Sequence, residues 1–473
     1  MVRALGLLLL VAACAPEPPR TCVIRGETSL GSAQTSAVAA RSEADGPLGV
    51  GVTRRTSLSG DDGTWFDWYE GPVTPRACPT VAQSVELGAS ILEERVVVAN
   101  AGPLGVGLAD RLLIGNPSAA NGSQALAGEV LSVALPLTTP DSVVLAVDRF
   151  LWASSASRFG AVLVRAPDLD GDALDDIVAP IDELSSSGVG ALSALYIIPG
   201  GASPPEPVPL LTVGRVPGQE AGTAGQAVAL AAGDLDGDGA GDLVLTARDP
   251  TVAADPDAET VDLQVQLYLG PLDVGAPVHA TLVPPRGLQT ADLEAQLFGT
   301  ALVIGGQWVG DDTPDVAVGT PAGVYLGSEA NDTGWVAVYD GARLLRGGAV
   351  RPVCHWVGTG NGDGFGTTLA AVPDSDGDGV DELVVAAPRA VRRGEKLGAV
   401  FRFSGCTHDG QGDADQATAT LWGRREGDRM GDNVISLGDL DDDGTGDFAV
   451  LASETERPRS IAGPGRWVIV FGE

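Results

Sequence analysis

Four loops in this chain place carboxylates at the same four steps, and that repetition limits the folds open to it more than any other feature. In Gly233 to Ala247, read as GDLDGDGAGDLVLTA, acids stand at Asp234, Asp236, Asp238 and Asp242, which are positions 1, 3, 5 and 9 of one tight loop. The pattern returns at Asp168, Asp170, Asp172 and Asp176, at Asp374, Asp376, Asp378 and Glu382, and at Asp439, Asp441, Asp443 and Asp447. A loop wound around a hard divalent cation presents alternate residues inward, and Ca²⁺ takes about six to eight oxygens, so each loop reads as a calcium loop. The position-7 residues Leu174, Ala240, Val380 and Thr445 complete the four expected ligand sets. Without a cation, such a concentration of carboxylates is self-repelling. An EF-hand is ruled out, because its glutamate at position 12 is replaced by Leu245, inside an apolar run of strand character.

The loops are evenly spaced. With weaker marks at Asp45, Asp110 and Asp315 added, the position-9 acids fall 65, 66, 66, 73, 67 and 65 residues apart. A repeat of this length with three or four short strands has the size of a propeller blade. Each unit runs through the acidic loop, an apolar strand ending in small residues such as VVAAP at Val384 to Pro388, and a third strand such as GWVAVYDG at Gly334 to Gly341. A fourth strand like TLWG at Thr420 to Gly423 completes it. The fold expected is all-β: a seven-bladed β-propeller of four-stranded blades occupying residues 21–473. The last unit stops after its third strand, RWVIVFGE, while TCVIRG at Thr21 to Gly26 resembles the fourth-strand segment VCHWVG at Val353 to Gly358. The N-terminal strand is therefore expected to pair into the last blade and close the ring, leaving no unpaired edge.

Phe159-Gly160, Phe298-Gly299 and Phe365-Gly366, with Met430-Gly431 as a variant, are read as opening the first strands ahead of the acidic loops. These residues and the loops resemble the FG-GAP repeat family, the blades of the integrin alpha-chain propeller and of many bacterial surface proteins. The resemblance covers nearly the whole mature chain. Departures from the pattern are Gly225-Gln226 in the fourth repeat, Ala173 at a turn glycine in the third, and Gln307 and Val309 at positions 1 and 3 of the fifth, which keeps Asp311 and Asp315. Four bound calcium ions, structural in role, are expected rather than seven. The resemblance to integrins implies that ligand binds on the face opposite the calcium loops, where Asp249 to Thr260, Thr320 to Thr333 and Arg389 to Leu397 would contribute.

Composition narrows the partners. With 63 acidic against 29 basic residues, the formal charge of -34 argues against nucleic acid and anionic membrane surfaces. The first residues, MVRALGLLLLVAACAPEPP, form an export signal, with residues 1–13 as signal peptide and 14–20 as a short linker. Val11-Ala12-Ala13-Cys14 resembles a bacterial lipobox, which implies acylation of Cys14 and anchoring by lipid only. The same resemblance to bacterial lipoproteins, with Ala15 rather than Asp after the cysteine, implies the outer membrane or cell surface. No later apolar run reaches transmembrane length.

An exported chain permits disulfides, and four cysteines follow Cys14. Cys22 and Cys354 hold equivalent fourth strands, and Cys78 and Cys406 follow third strands of the next units, so Cys22 is paired with Cys78 and Cys354 with Cys406. A zinc site from Cys354, His355, Cys406 and His408 is disfavoured because adjacent strand residues point to opposite faces. The chain has three histidines, no H-E-x-x-H and no G-x-S-x-G, so no catalytic residue is assigned. The reading is a monomeric, calcium-binding envelope lipoprotein that binds a protein or glycan. A propeller enzyme, a polysaccharide lyase or hydrolase, and a purely structural envelope protein are the alternatives.

Overall fold

The structure, a computed structural model, describes residues 21–25, 33–41, 48–56, 63–69, 73–74, 83–88, 97–103, 110–117, 119–120, 122–123, 127–134, 147–151, 158–184, 191–200, 207–212, 226–248, 263–273, 276–285, 298–322, 333–406, 410–453 and 465–472. Apart from a two-stranded ribbon, its strands fall into sheets of four or five. Sheet I holds Ala33–Arg41, Leu48–Thr56, Gly63–Tyr69 and Gln83–Gly88. Sheet II holds Val97–Pro103, Asp110–Asn116, Glu129–Ala134 and Val147–Leu151. Sheet III holds Val164–Ala166, Asp176–Leu184, Ala191–Ile198 and Val208–Thr212. Sheet IV begins with Gln226–Gly233, Asp242–Arg248, Leu263–Tyr268 and Ala280–Leu282. Sheet V begins with Ala301–Gly306, Asp315–Thr320, Trp335–Tyr339 and Cys354–Val357. Sheet VI holds Leu369–Val372, Glu382–Ala387, Ala399–Phe403 and Ala419–Trp422. Sheet VII holds Met430–Gly438, Asp447–Ala452 and Arg466–Val470, with Thr21–Arg25 on its outer edge.

The four strands named for each of sheets I to VI, and the three consecutive strands of sheet VII, follow one another as an antiparallel meander. The first strands of successive sheets lie against one another, and Met430–Gly438 returns to touch Ala33–Arg41. The sheets thus stand in a ring with their first strands around the axis, as a β-propeller. Thr21–Arg25 pairs antiparallel with Arg466–Val470, Cys22 opposite Ile469, so one sheet joins the two ends of the described chain.

The burial pattern explains the composition of the strands. Asp315–Thr320, Glu382–Ala387 and Asp447–Ala452 are buried at every residue, because each sheet is covered on both faces by its neighbours. Such strands carry continuous apolar runs instead of alternation. The inner strands Ala301–Gly306 and Leu369–Val372 are only partly buried and rich in small residues, as sheets converging on an axis require. Large side chains fill the wedges between sheets, as where Phe298 stacks on Trp335 with ring centroids 5.7 Å apart.

The Phe-Gly pairs do not open strands as expected, except at Met430. Phe159, Phe298 and Phe365 lie before strands that begin at Val164, Ala301 and Leu369. They stitch the seams between sheets: Phe159, Phe365 and Met430 bridge in parallel to Gly128, Gly334 and Gly398 of the preceding sheet. The glycine that follows is dictated by two constraints. Gly366 has φ 88°, and a Cβ on it would sit 2.8 Å from the Trp335 carbonyl oxygen, so both conformation and space exclude a side chain.

Two sheets depart from the expected four strands. Gly348–Val350 adds in parallel to Ala280–Leu282 of sheet IV, delivered there by the short helix Gly341–Leu344, whose N-cap Asp340 accepts the Arg343 N–H. Gly410–Asp413 adds in parallel to Cys354–Val357 of sheet V. The segment after the third strand of sheet VI is held at sheet V by the Cys354–Cys406 disulfide (Cα–Cα 6.0 Å) and by Cys406 N–H donating to the Trp308 carbonyl at 2.7 Å. Cys22 is also disulfide-bonded. Cys78 lies outside the described residues, as do Cys14, Asp45 and His408.

Candidate metal centre

Each acidic loop connects the first and second strands of its sheet, so sheets III, IV, VI and VII carry the four loops at corresponding strand ends. The local sequence dictates their shape. Positions 4 and 6 take left-handed backbone, with Gly237 and Gly239 at φ 75° and 90°, and Gly377 and Gly379 at 73° and 85°. Ala173 and Asp442 adopt the same conformation at φ 67° and 58°, where a Cβ is unfavourable.

The position-1 carboxylate organises each turn by accepting its backbone N–H groups. Asp234 Oδ1 accepts from Gly237 at 2.7 Å and Oδ2 from Gly239 at 3.0 Å. Asp168 accepts from Gly171, Asp172 and Ala173, Asp374 from Asp378 and Gly379, and Asp439 from Asp443 and Gly444. The position-5 carboxylate accepts the N–H of position 7: Asp172 from Leu174, Asp238 from Ala240, Asp378 from Val380 and Asp443 from Thr445.

Position 9 behaves differently. Asp176, Asp315, Glu382 and Asp447 are 0% exposed and Asp242 is 1% exposed. One oxygen of Asp176 accepts Leu169 N–H at 2.8 Å and the other accepts Gly200 N–H at 2.9 Å. Asp242 is held likewise by Leu235 and Gly270, and Asp447 by Leu440 and Gly472. Each aspartate thus latches its loop to the glycine two residues beyond the third strand of the same sheet. Glu382, one methylene longer, accepts from Ser375 N–H and from the Ser404 hydroxyl.

Burial pushes the carboxyls of Asp176 and Asp242 up to about 6 and that of Asp447 up to about 7, against the partial relief of these N–H donors. Neighbouring loop acids push in the same direction. Glu382 and Asp170 are raised too, again chiefly by burial. A cation among them would reverse the effect and hold the acids ionised.

The donors converge. Oxygens of Asp374, Asp376, Asp378 and Glu382 lie within 4.8 Å of one another, as do those of Asp168, Asp170 and Asp176, of Asp234, Asp236 and Asp242, and of Asp439, Asp441 and Asp447. The expected ligands Asp172, Asp238 and Asp443 stand outside these sets, whereas Asp378, which accepts its position-7 N–H in the same way, stands inside its own. The donor chemistry is all oxygen, which suits a hard cation. Asp376 Oδ1 adds a second sign of fit, because it is buried without a hydrogen-bond partner. Arg402 Nη2 reaches the other oxygen of Asp376 at 3.3 Å and supplies part of the compensating charge in that loop.

The fifth repeat is the internal control. Its loop lacks acids at positions 1 and 3, yet Asp315 accepts Trp308 N–H at 2.7 Å, Val309 N–H at 2.8 Å and Gly341 N–H at 3.0 Å. The latch persists where the cation ligands are gone. Asp110 lies on a second strand, and its side chain is outside the described residues. The latch glycines Gly200, Gly270, Gly341 and Gly472 were not identified from sequence, although a glycine just past each third strand was the signal available.

Comparison with known proteins agrees with this architecture. Residues 365–401, from the Phe-Gly seam through the acidic loop of sheet VI to its third strand, match the FG-GAP repeat. The chain is 31% identical over 162 residues to integrin alpha-5 of Xenopus laevis, an alignment that covers 33% of this chain and 14% of that protein. The likeness therefore spans a small part of the integrin's length.

Proposed function

We propose that this chain, an FG-GAP repeat protein of the integrin-alpha-like kind, is a calcium-stabilised binding module whose seven sheets serve as seven blades. In this reading it is exported, anchored by lipid at Cys14 to the cell envelope, monomeric, and presents the propeller face opposite the acidic loops to a protein or glycan. The observation that supports it best is the convergence of carboxylate oxygens within 4.8 Å in four loops at corresponding strand ends. Asp168, Asp170 and Asp176, Asp234, Asp236 and Asp242, Asp374, Asp376, Asp378 and Glu382, and Asp439, Asp441 and Asp447 would hold the ions. Bound Ca²⁺ supplies positive charge that offsets the buried acids, and a ligand at about 100 times its dissociation constant adds roughly 2.7 kcal/mol to the folded state. The chain's own residues do the rest: position 1 shapes the turn, and position 9 fixes the turn to the third strand.

The test is binding to glycan and protein arrays by the calcium-loaded chain and by the chelator-treated chain. The reading expects specific ligands that are lost on chelation. An array on which the loaded chain binds nothing, or binds equally without calcium, would count against it.

A further inference from the structure

Among the described residues, six exposed cations gather on two neighbouring turns. Arg389, Arg392, Arg393 and Lys396 are exposed on the connection between the second and third strands of sheet VI, and Arg424 and Arg425 are exposed on the turn from sheet VI into sheet VII. The exposed acids on these two turns are Glu395 and Glu426. Gly427 N–H donates to the Lys396 carbonyl at 2.8 Å, so the turns form one surface. It lies at the far end of the Glu382–Ala387 strand from the acidic loop, which is the proposed ligand face.

This surface is rigidly built. Asp363, buried beneath the first turn, accepts the Arg389 N–H on its carbonyl at 3.1 Å, and the Arg389 charge acts on its carboxylate. Asp428, also buried, holds the second turn: its Oδ2 accepts Arg424 N–H at 2.8 Å, Arg425 N–H at 3.1 Å and Arg466 Nη2 at 2.6 Å. Both aspartates stand two residues before a seam residue, Phe365 or Met430. Val391–Arg392 and Glu395–Lys396 pair as a ribbon, with Arg393 at its tip in left-handed backbone at φ 56°. A non-glycine residue there is uncommon. The Arg392 guanidinium is fixed over Trp422, 5.2 Å from the ring centroid.

Five of the six cations are arginines, whose planar forks match carboxylate, sulfate or phosphate oxygens in pairs. The exposed apolar side chain on the ribbon is Val391, and Trp422 is half-buried with Arg392 over its ring, so the patch offers little of the broad apolar centre that protein partners need. A hydrophilic, densely charged partner fits better. Charges act over a screening distance of about 8 to 10 Å, so the patch attracts only the part of a polyanion that lies on it. Any part that lies on the acidic remainder of the molecule is repelled, and the contact is therefore short. We propose that this patch binds an acidic oligosaccharide of a few residues, carrying carboxylate or sulfate groups. The inference rests on the binding-module reading and gives its ligand a chemical class.

The experiment is a binding titration of the full, calcium-loaded chain. The probes are an oligogalacturonate hexamer, a sulfated heparin-derived hexasaccharide, maltohexaose, hexaglutamate and phosphatidylglycerol vesicles. One or both acidic sugars should bind and maltohexaose should not, with affinity falling as salt rises. The double variants Arg392→Glu/Lys396→Glu and Arg393→Glu/Arg424→Gln should each weaken binding by about tenfold or more, with unchanged calcium content. Arg346→Glu, a charge reversal at the other end of the sheets, should change nothing. The inference is overturned if acidic sugars bind no better than maltohexaose, if neither double variant weakens them, or if hexaglutamate or vesicles bind more tightly. A calcium-dependent ligand that ignores both double variants overturns this inference and leaves the module reading standing. Absence of any array ligand removes both.

Discussion

Asp315 and Gly341 are joined by a hydrogen bond of 3.0 Å between the carboxylate of one and the backbone N–H of the other, across 26 residues. The same bond links Asp447 to Gly472 across 25 residues, but only Asp447 belongs to a converging set of acids. The position-9 acid therefore has a duty that does not depend on a cation. Asp315→Asn puts an N–H donor opposite one of three backbone donors and is expected to cost about 1–3 kcal/mol. Asp311→Asn, exposed on the same loop, should cost under about 0.5 kcal/mol. Denaturant melts of the two variants check this, and equal losses would refute the latch.

The pH response of the calcium-free chain follows from the same residue. Burial pushes the Asp315 carboxyl from its ordinary 3.8 up to about 6. The folded chain then holds this proton more tightly than the unfolded chain does. The stability from this group is complete below about 3.8 and is lost as pH rises through about 6. With chelator present, stability should fall across that window, and Asp315→Asn should flatten the fall by on the order of 2–3 kcal/mol. Melts at a series of pH values decide it, and a slope unchanged in the variant would contradict the assignment.

How much of this was readable beforehand depended on the range of the interaction. The acidic loops, their period and the pairing of Cys354 with Cys406 were legible because each is a local pattern repeated at a fixed interval. The seam role of Phe365 was not, because a Phe-Gly pair looks the same whether it opens a strand or bridges to Gly334 of the previous sheet. The latch was hidden for a similar reason: nothing local to Asp176 names Gly200 as its partner. The added strands at Gly348–Val350 and Gly410–Asp413 each follow a third strand and pair with the fourth strand of the sheet before, a distant partner that nothing local names. The basic patch was masked by the net charge, an average over the whole chain.

Ala173 occupies a turn position at φ 67° that its counterparts Gly239, Gly379 and Gly444 fill with φ 90°, 85° and 92°. A Cβ at Gly239 would meet nothing within 4 Å, so the penalty at Ala173 is one of backbone conformation rather than crowding. Ala173→Gly should stabilise the chain by up to about 1 kcal/mol. The thermal midpoint measures it, and a lower midpoint would show that the loop is not strained.

The disulfide between Cys354 and Cys406 joins residues 52 apart in sequence and binds the segment leaving sheet VI to sheet V. Its removal in a Cys354→Ser/Cys406→Ser double variant should cost about 4 kcal/mol by chain entropy. Denaturant melts of the double variant, with the Cys22 bond left intact, test this, and an unchanged midpoint would contradict it.

Calcium counting by native mass spectrometry of the stripped and reloaded chain bears most directly on the whole account. It predicts four Ca²⁺ per molecule, three in an Asp234→Asn/Asp236→Asn variant and four in Asp315→Asn, with a thermal midpoint that drops when the ions are removed. A chain that takes up no Ca²⁺, or that melts at the same temperature with and without it, would contradict the account.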